Sequence, residues 1–171
     1  MERLDLYDIN RIKTGKTVPR GRKLKNNQYR LIVHLCIFNS KRQMLIQHRQ
    51  INKKSWPNLW DFTVGGSVIS GETSQEAIQR ELFEEIGLQL DFENVRPSLT
   101  INYRKGFDDI YLINHDVDIN SLTLQKEEVQ NVKWASMNEI FFMLDKKIFI
   151  PYQKSYIELL FYLKDHSKAC E

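Results

Sequence analysis

Three glutamates within five residues form the pattern in this 171-residue chain that is best suited to chemistry: Glu81, Glu84 and Glu85. On a helix turning about 100° per residue they share one contiguous arc of about 100°, with small Ala77 inside it and an apolar stripe of Ile78, Leu82 and Ile86 beside it. Like charges at these spacings destabilise a helix by about 0.2–0.5 kcal/mol per pair, so the arrangement calls for a cation between them. Oxygen-only donors select a hard divalent ion, Mg²⁺ with Mn²⁺ as a substitute. Just upstream, Gly65, Gly66 and Gly71 let backbone amides and carbonyls approach a ligand closely. The spacing Gly66-x4-Gly71 imitates a phosphate-binding P-loop, but Glu72 stands where that loop needs a lysine. Phosphate would therefore be held through metal.

These residues must be placed by a strand, a loop and a helix. Trp60 to Val64 reads as a short strand that Gly65-Gly66 stops, and Thr73-x-x-Glu76 is a capping box opening a helix that Gly87 ends after Ile86. Before them, Tyr29–Phe38 and Gln43–His48 are rich in β-branched or apolar residues and flank a turn at Asn39-Ser40-Lys41. After them, Leu99–Tyr103, Ile110–His115 and Val129–Trp134 read as strands. Ser136 and Glu139 form a second capping box, for a helix to about residue 145. The spacing of Tyr156, Leu159, Leu160 and Leu163 predicts a closing amphipathic helix over 155–164. Strands interleaved with three helices indicate an α/β or α+β layered domain on a mixed sheet. Residues 1–28 are polar and turn-rich and read as an N-terminal arm, followed by a domain at 29–165 and a tail at 166–171.

With 42% hydrophobic and 27% charged residues, the chain can bury one core and expose a charged surface. Its longest apolar run, Leu31 to Phe38, is interrupted by His34 and is well short of the roughly 18 residues a spanning helix needs, so no membrane association is expected. Glu2, Asp5 and Asp8 replace the basic start of an export signal, and a cytoplasmic location is the expectation. Cys36 and Cys170 read as two unrelated thiols. A net charge of +3 is too small to indicate nucleic acid, although Arg20, Arg22, Lys23 and Lys25 form a local basic cluster.

From Gly66 to Leu88 the chain reads GSVISGETSQEAIQRELFEEIGL, which resembles the Nudix hydrolase signature G-x5-E-x7-R-E-U-x-E-E-x-G-U, U being aliphatic. Every fixed position matches, and a chance match at a given start is on the order of one in a billion. The resemblance implies an α/β/α sandwich with a mixed sheet and a Mg²⁺-dependent attack of water on the diphosphate linkage of a nucleoside diphosphate derivative. It further implies that Glu81, Glu84 and Glu85 ligate metal, with the Gly66 carbonyl as a fourth ligand. Glu81 would also orient or deprotonate the water, Arg80 would hold Glu84, and Glu72 would anchor the loop.

Members of this family often take an additional base from outside the signature, and Glu127 and Glu128 are the candidates, Glu128 preferred. Arg49, Lys53 and Lys54 lie in a connection where they could meet substrate phosphate, and Gly65 adjoins the same place. Trp60, Tyr103 and Phe107 could stack on a base, and His34 reads as a strand histidine with a satisfied partner. An isopentenyl-diphosphate isomerase shares the fold and a stretch like Lys54-Ser55-Trp56-Pro57, but Thr63 to Val68 lacks the cysteine and histidine its chemistry needs. A noncatalytic nucleotide-binding module is a further alternative, although such modules usually lose a signature carboxylate and here none is missing. The arm, lacking a core of its own, suggests pairing with a second subunit.

Overall fold

The computed structural model describes residues 1–166. Nine strands and three α-helices follow in the order β1 (Arg3–Tyr7), β2 (Lys13–Pro19), β3 (Arg30–Phe38), β4 (Met44–Arg49), β5 (Trp60–Asp61), β6 (Val64–Ser67), α1 (Ser74–Ile86), β7 (Leu99–Tyr103), β8 (Gly106–Asn114), β9 (Val129–Ala135), α2 (Met137–Asp145) and α3 (Lys154–His166). The seven strands from β3 onward form one mixed sheet, in which β3 runs parallel to β8 and antiparallel to β6.

Alternation along β3 gives the sheet two apolar faces. Leu31, Val33, Leu35 and Ile37 join Ile78, Leu82 and Ile86 of α1 in one core, while Cys36 and Phe38 join Ile140 and Met143 of α2 and Ile157 and Leu160 of α3 in the other. The protein is thus an α+β sandwich with helices on both sheet faces. Between its two flanks the sheet splits. β3 pairs with β4 only at Phe38 and Met44, then pairs with β6 through Ile32–Leu35, while β4 continues with β5 and β9. The Thr63 hydroxyl bridges the split, accepting from Ile37 N at 2.9 Å and donating to Leu45 O at 2.6 Å.

Three expectations from the sequence are corrected. The stretch from Trp60 is two strands, and Gly65-Gly66 lie inside the second instead of ending it. A side chain at Gly65 would run into the His34 ring and one at Gly66 into the Glu81 carboxylate, so β6 is a strand whose middle must be bare. In α3 the buried residues are Ile157, Leu160, Phe161 and Lys164, whereas Leu159 is exposed. The inward face also keeps helical spacing, and Lys164 sends its ammonium over the Phe38 ring, 5.5 Å from its centroid. Residues 1–28 contain an antiparallel hairpin, β1 with β2, that buries Leu4, Leu6 and Tyr7. Tyr7 belongs to the core around α1, which removes the reason given for pairing with a second subunit. The expected strand Ile110–His115 starts four residues earlier, as Gly106–Asn114, and the other strands and helices match their expected positions to within two residues, with both capping boxes formed. Cys170 and the tail beyond 166 fall outside the described residues.

Candidate active site

Helix α1 starts from the Thr73 cap, where the Thr73 hydroxyl accepts from Glu76 N and the Glu76 carboxylate accepts from Thr73 N. It ends at Gly87, whose left-handed conformation (φ 71°) lets its N–H reach Phe83 O. The loop after the β8 connection continues this C-terminal satisfaction: Thr123 N donates to Ile86 O at 3.1 Å and Gln125 N to Glu85 O at 2.9 Å. Both ends of α1 are therefore fixed, and its acidic flank is held against β6 and the split in the sheet.

Burial divides the three glutamates that the helical wheel groups together. Glu81 and Glu85 are buried, but Glu84 is exposed. Glu81 occupies the space left by the absent side chain of Gly66. Glu85 accepts from Gln47 Nε2 at 2.9 Å, across from β4. Burial, reinforced by the Glu81 charge, raises the Glu85 carboxyl to about 8, and burial also raises Glu81 against the pull of Arg80. A polar pair facing the split, with its charge disfavoured on both members, is the chemically unusual feature of the fold.

Arg80 organises the opposite side. Its Nε and Nη2 meet Glu72 at 2.6 and 3.0 Å, its Nη1 meets Glu81 at 2.9 Å and Glu84 at 3.1 Å, and Nη2 also donates to Ser67 O at 3.1 Å. Glu72 in turn accepts from Ile69 N at 3.0 Å, closing the loop before the helix. One guanidinium thus joins strand β6, the loop and two of the three glutamates. Among the described residues, no three His, Cys, Asp or Glu side chains are gathered closely enough to hold a metal ion as they stand. Glu84 bonds Arg80, whereas Glu85 bonds Gln47.

The remaining candidates sort by their contacts. Glu128 is brought beside Lys53 as an ion pair, and the Glu128 carbonyl accepts from Gln50 N at 2.9 Å, whereas Glu127 is exposed. Burial and the neighbouring Arg49 lower the Lys53 ammonium, and its charge acts on Glu85, so this pair borders the carboxylate site. Arg49 is held by Asp61 at 3.1 Å and by the carbonyls of Ser55 and Trp56. Lys54 is exposed. Gly65 carries the His34 ring on the sheet face opposite Glu81, and His34 Nδ1 is 2.8 Å from Asp108. Phe107 is buried among Tyr7 and Tyr29, Tyr103 bonds Arg30, and Trp60 stacks on His48 at 4.8 Å between centroids. A cleft of about 590 Å³ on the outer side of α1, lined by Gln79, Phe83 and Leu90 among others, shares only Arg80 with the glutamate network. Gln47 escaped the sequence reading; its signal was a polar residue directly after the apolar Met44–Ile46.

Comparison with known proteins agrees with this geometry. A family model described as NUDIX domain matches residues 28–159. An uncharacterized Nudix hydrolase of Listeria monocytogenes is 44% identical over 165 residues, 96% of each chain. The crystal structure of DR0079 from Deinococcus radiodurans superposes with a TM-score of 0.75 at 24% identity, covering 93% of this chain and 97% of that one. The NUDIX domain of Shewanella oneidensis NrtR, crystallised with ADP ribose, shares the fold at a TM-score of 0.56 and 16% identity, covering 87% and 92%. The complete signature, the helix that displays it and the 44% identical relative lead to one conclusion: the chain belongs to the Nudix hydrolase family.

Proposed function

We propose that this chain hydrolyses the diphosphate linkage of a nucleoside diphosphate derivative, releasing a nucleoside monophosphate and a second phosphorylated product, with Mg²⁺ as cofactor and Mn²⁺ as a substitute. The observation that carries this reading is the buried pair Glu81 and Glu85, each destabilised in its charged form and facing the bare strand at Gly66. A divalent cation fits that donor set: all donors are oxygens, and positive charge between the two carboxylates would offset the burial and, beside it, the Glu81 repulsion that disfavour the charged form of Glu85. Glu81, Glu84, Glu85 and the Gly66 carbonyl would hold it. When bound, it lowers the pKa of water and offsets charge developing on the phosphates.

The protein's own groups do the rest. Arg80 fixes the Glu81 carboxylate from one side, leaving its other oxygen to orient a water. Glu128, reached through the loop that caps α1, is the second candidate base, with Lys53 beside it to compensate its charge. Arg49 serves the site by pinning the connection from Ser55 to Asp61, and Lys53 is the better placed of the two to meet a phosphate. Adoption of ADP ribose by the Shewanella domain supports a nucleotide-type substrate on this scaffold. A cytoplasmic location belongs to the same proposal.

The deciding experiment incubates the purified chain with Mg²⁺ and a panel of nucleoside diphosphates, dinucleotides, nucleotide sugars and coenzyme A, identifying products by mass. Release of a nucleoside monophosphate by wild type and its loss in Glu85→Gln are expected. Silence across the panel, with nucleotide binding equal in wild type and Glu85→Gln, would establish a binding module instead. Conversion of isopentenyl diphosphate to its dimethylallyl isomer would overturn the hydrolase reading.

A further inference from the structure

The N-terminal hairpin does more than cover the sheet. Its turn is fastened to the far strands: Arg11 pairs with the fully buried Asp109 and donates to Thr100 at 3.0 Å. Its base is tied to β3 by reciprocal bonds between Tyr7 and Tyr29, at 2.9 and 3.1 Å. Between these anchors, β1 alternates, with Leu4 and Leu6 buried and Asp5 on the other side. Asp5 reaches the loop that precedes α1. Its Oδ1 accepts from Ser70 Oγ at 2.7 Å and its Oδ2 from Gly71 N at 3.1 Å, while Arg3 O accepts from Ser70 N at 2.8 Å. Lys13, paired with Asp5 at 2.9 Å, donates to Glu72 O at 3.1 Å.

Three donors at the tip of this loop, Ser70 N, Ser70 Oγ and Gly71 N, therefore all end on the hairpin. The next residue is Glu72, whose carboxylate holds Arg80, and Arg80 holds Glu81 and Glu84. We propose that Asp5 is a positioning residue for the glutamate site, clamping the Ser70–Gly71 tip, with Lys13 as its partner, so that Glu72 presents Arg80 to Glu81 and Glu84. This rests on the hydrolase reading above and deepens it by assigning residues outside the 66–88 signature to the site's geometry. Gly71, at φ 96°, accounts for the need of a clamp: its conformation is open to glycine alone, and a glycine loop left untied has more freedom to lose than any other. Hydrogen bonds from Lys13, Ser70 and Gly71 outweigh the burial that works against the Asp5 charge, so the carboxylate stays ionised.

Asp5→Asn tests the clamp, since it keeps the shape and removes the charge partner of Lys13. Amide exchange at 69–72 should accelerate relative to β8, Mn²⁺ affinity measured by electron paramagnetic resonance without substrate should fall about tenfold, and kcat should drop with KM unchanged. Melting temperature should stay within a few degrees of wild type. Should Asp5→Asn fold poorly, Ser70→Ala opens the same clamp from the loop side, and the two substitutions together should do no more than either alone. Unchanged exchange at 69–72, or wild-type Mn²⁺ affinity and kcat in either variant of an active enzyme, overturns the proposal. Failure of the hydrolase reading shows separately, as a wild-type chain that binds no Mn²⁺ and cleaves no diphosphate.

Discussion

Helices α1 and α2 begin in the same way and end with opposite roles. Each opens on a capping box, Thr73 with Glu76 and Ser136 with Glu139, and each lays one face on the central sheet. Under α2 the sheet offers Cys36, Phe38, Met44 and Ile46, and α2 answers with Ile140 and Met143. Under part of α1 it offers Gly66 and the split between β3 and β4, and there α1 buries Glu81 and Glu85. Local capping determines that a helix forms; what the sheet leaves uncovered determines whether its inward face is a core or a site. Buried carboxylates persist only because Arg80 and Gln47 bond them.

The difference is broken most severely by Glu85→Gln. This substitution keeps the Gln47 neighbourhood and removes a proposed cation ligand, so kcat should fall by about 10³-fold in a steady-state assay, while thermal stability of the metal-free protein holds or rises. Gly66→Ala should come next. The new methyl group meets the Glu81 carboxylate, and activity should fall about a hundredfold with a destabilisation of about 1–3 kcal/mol in urea titration. The counterpart in α2, Ile140→Ala, should lose about 2–5 kcal/mol of stability by the same titration yet leave the activity per folded molecule unchanged.

A pH series sharpens the comparison further. Glu85 has its folded pKa raised from 4.5 to about 8, so its stabilising contribution is complete below pH 4.5 and is lost as pH rises through 8. His34, buried but held charged by Asp108, is raised from 6.5 to about 8 and acts in the same direction, complete below 6.5 and lost through 8. Metal-free protein should therefore melt at a lower temperature at pH 9 than at pH 6, Glu85→Gln should flatten that slope, and Mg²⁺ should oppose it. The smallest effects are expected at the caps. Thr73→Ala and Ser136→Ala should each lower stability by about 1 kcal/mol, equally in the two helices, as read by chemical denaturation.

Much of this is legible in the sequence. Helices α1 and α2 were bounded by their caps because capping is a contact among neighbours in sequence, and β3 was visible because apolar, β-branched residues fill it on both faces. The signature at 66–88 named Glu72, Arg80, Glu81, Glu84 and Glu85 as one group; Arg80 joins Glu72, Glu81 and Glu84, while Glu85 bonds Gln47 from outside the signature. The hairpin at 3–19 escaped because Leu4 and Leu6 alternate over too few residues to outweigh the polar, glycine-containing stretch around them. Leu159 lies outward because the apolar run from Leu159 to Leu163 offers two overlapping faces, and only packing on the sheet chooses between them.

By itself the sequence determined where helices begin, which residues alternate in strands, and which acidic groups share a helix flank, because all of these depend on separations of a few residues. Tertiary structure alone decided that Glu81 and Glu85 turn inward while Glu84 stays exposed, that Gln47 and the Glu128–Lys53 pair border them, and that Asp5 reaches Ser70 and Gly71 from 65 and 66 residues away. The reason is physical: a side chain's burial, and with it the stability of its charge, is set by whatever distant segment the fold brings against it.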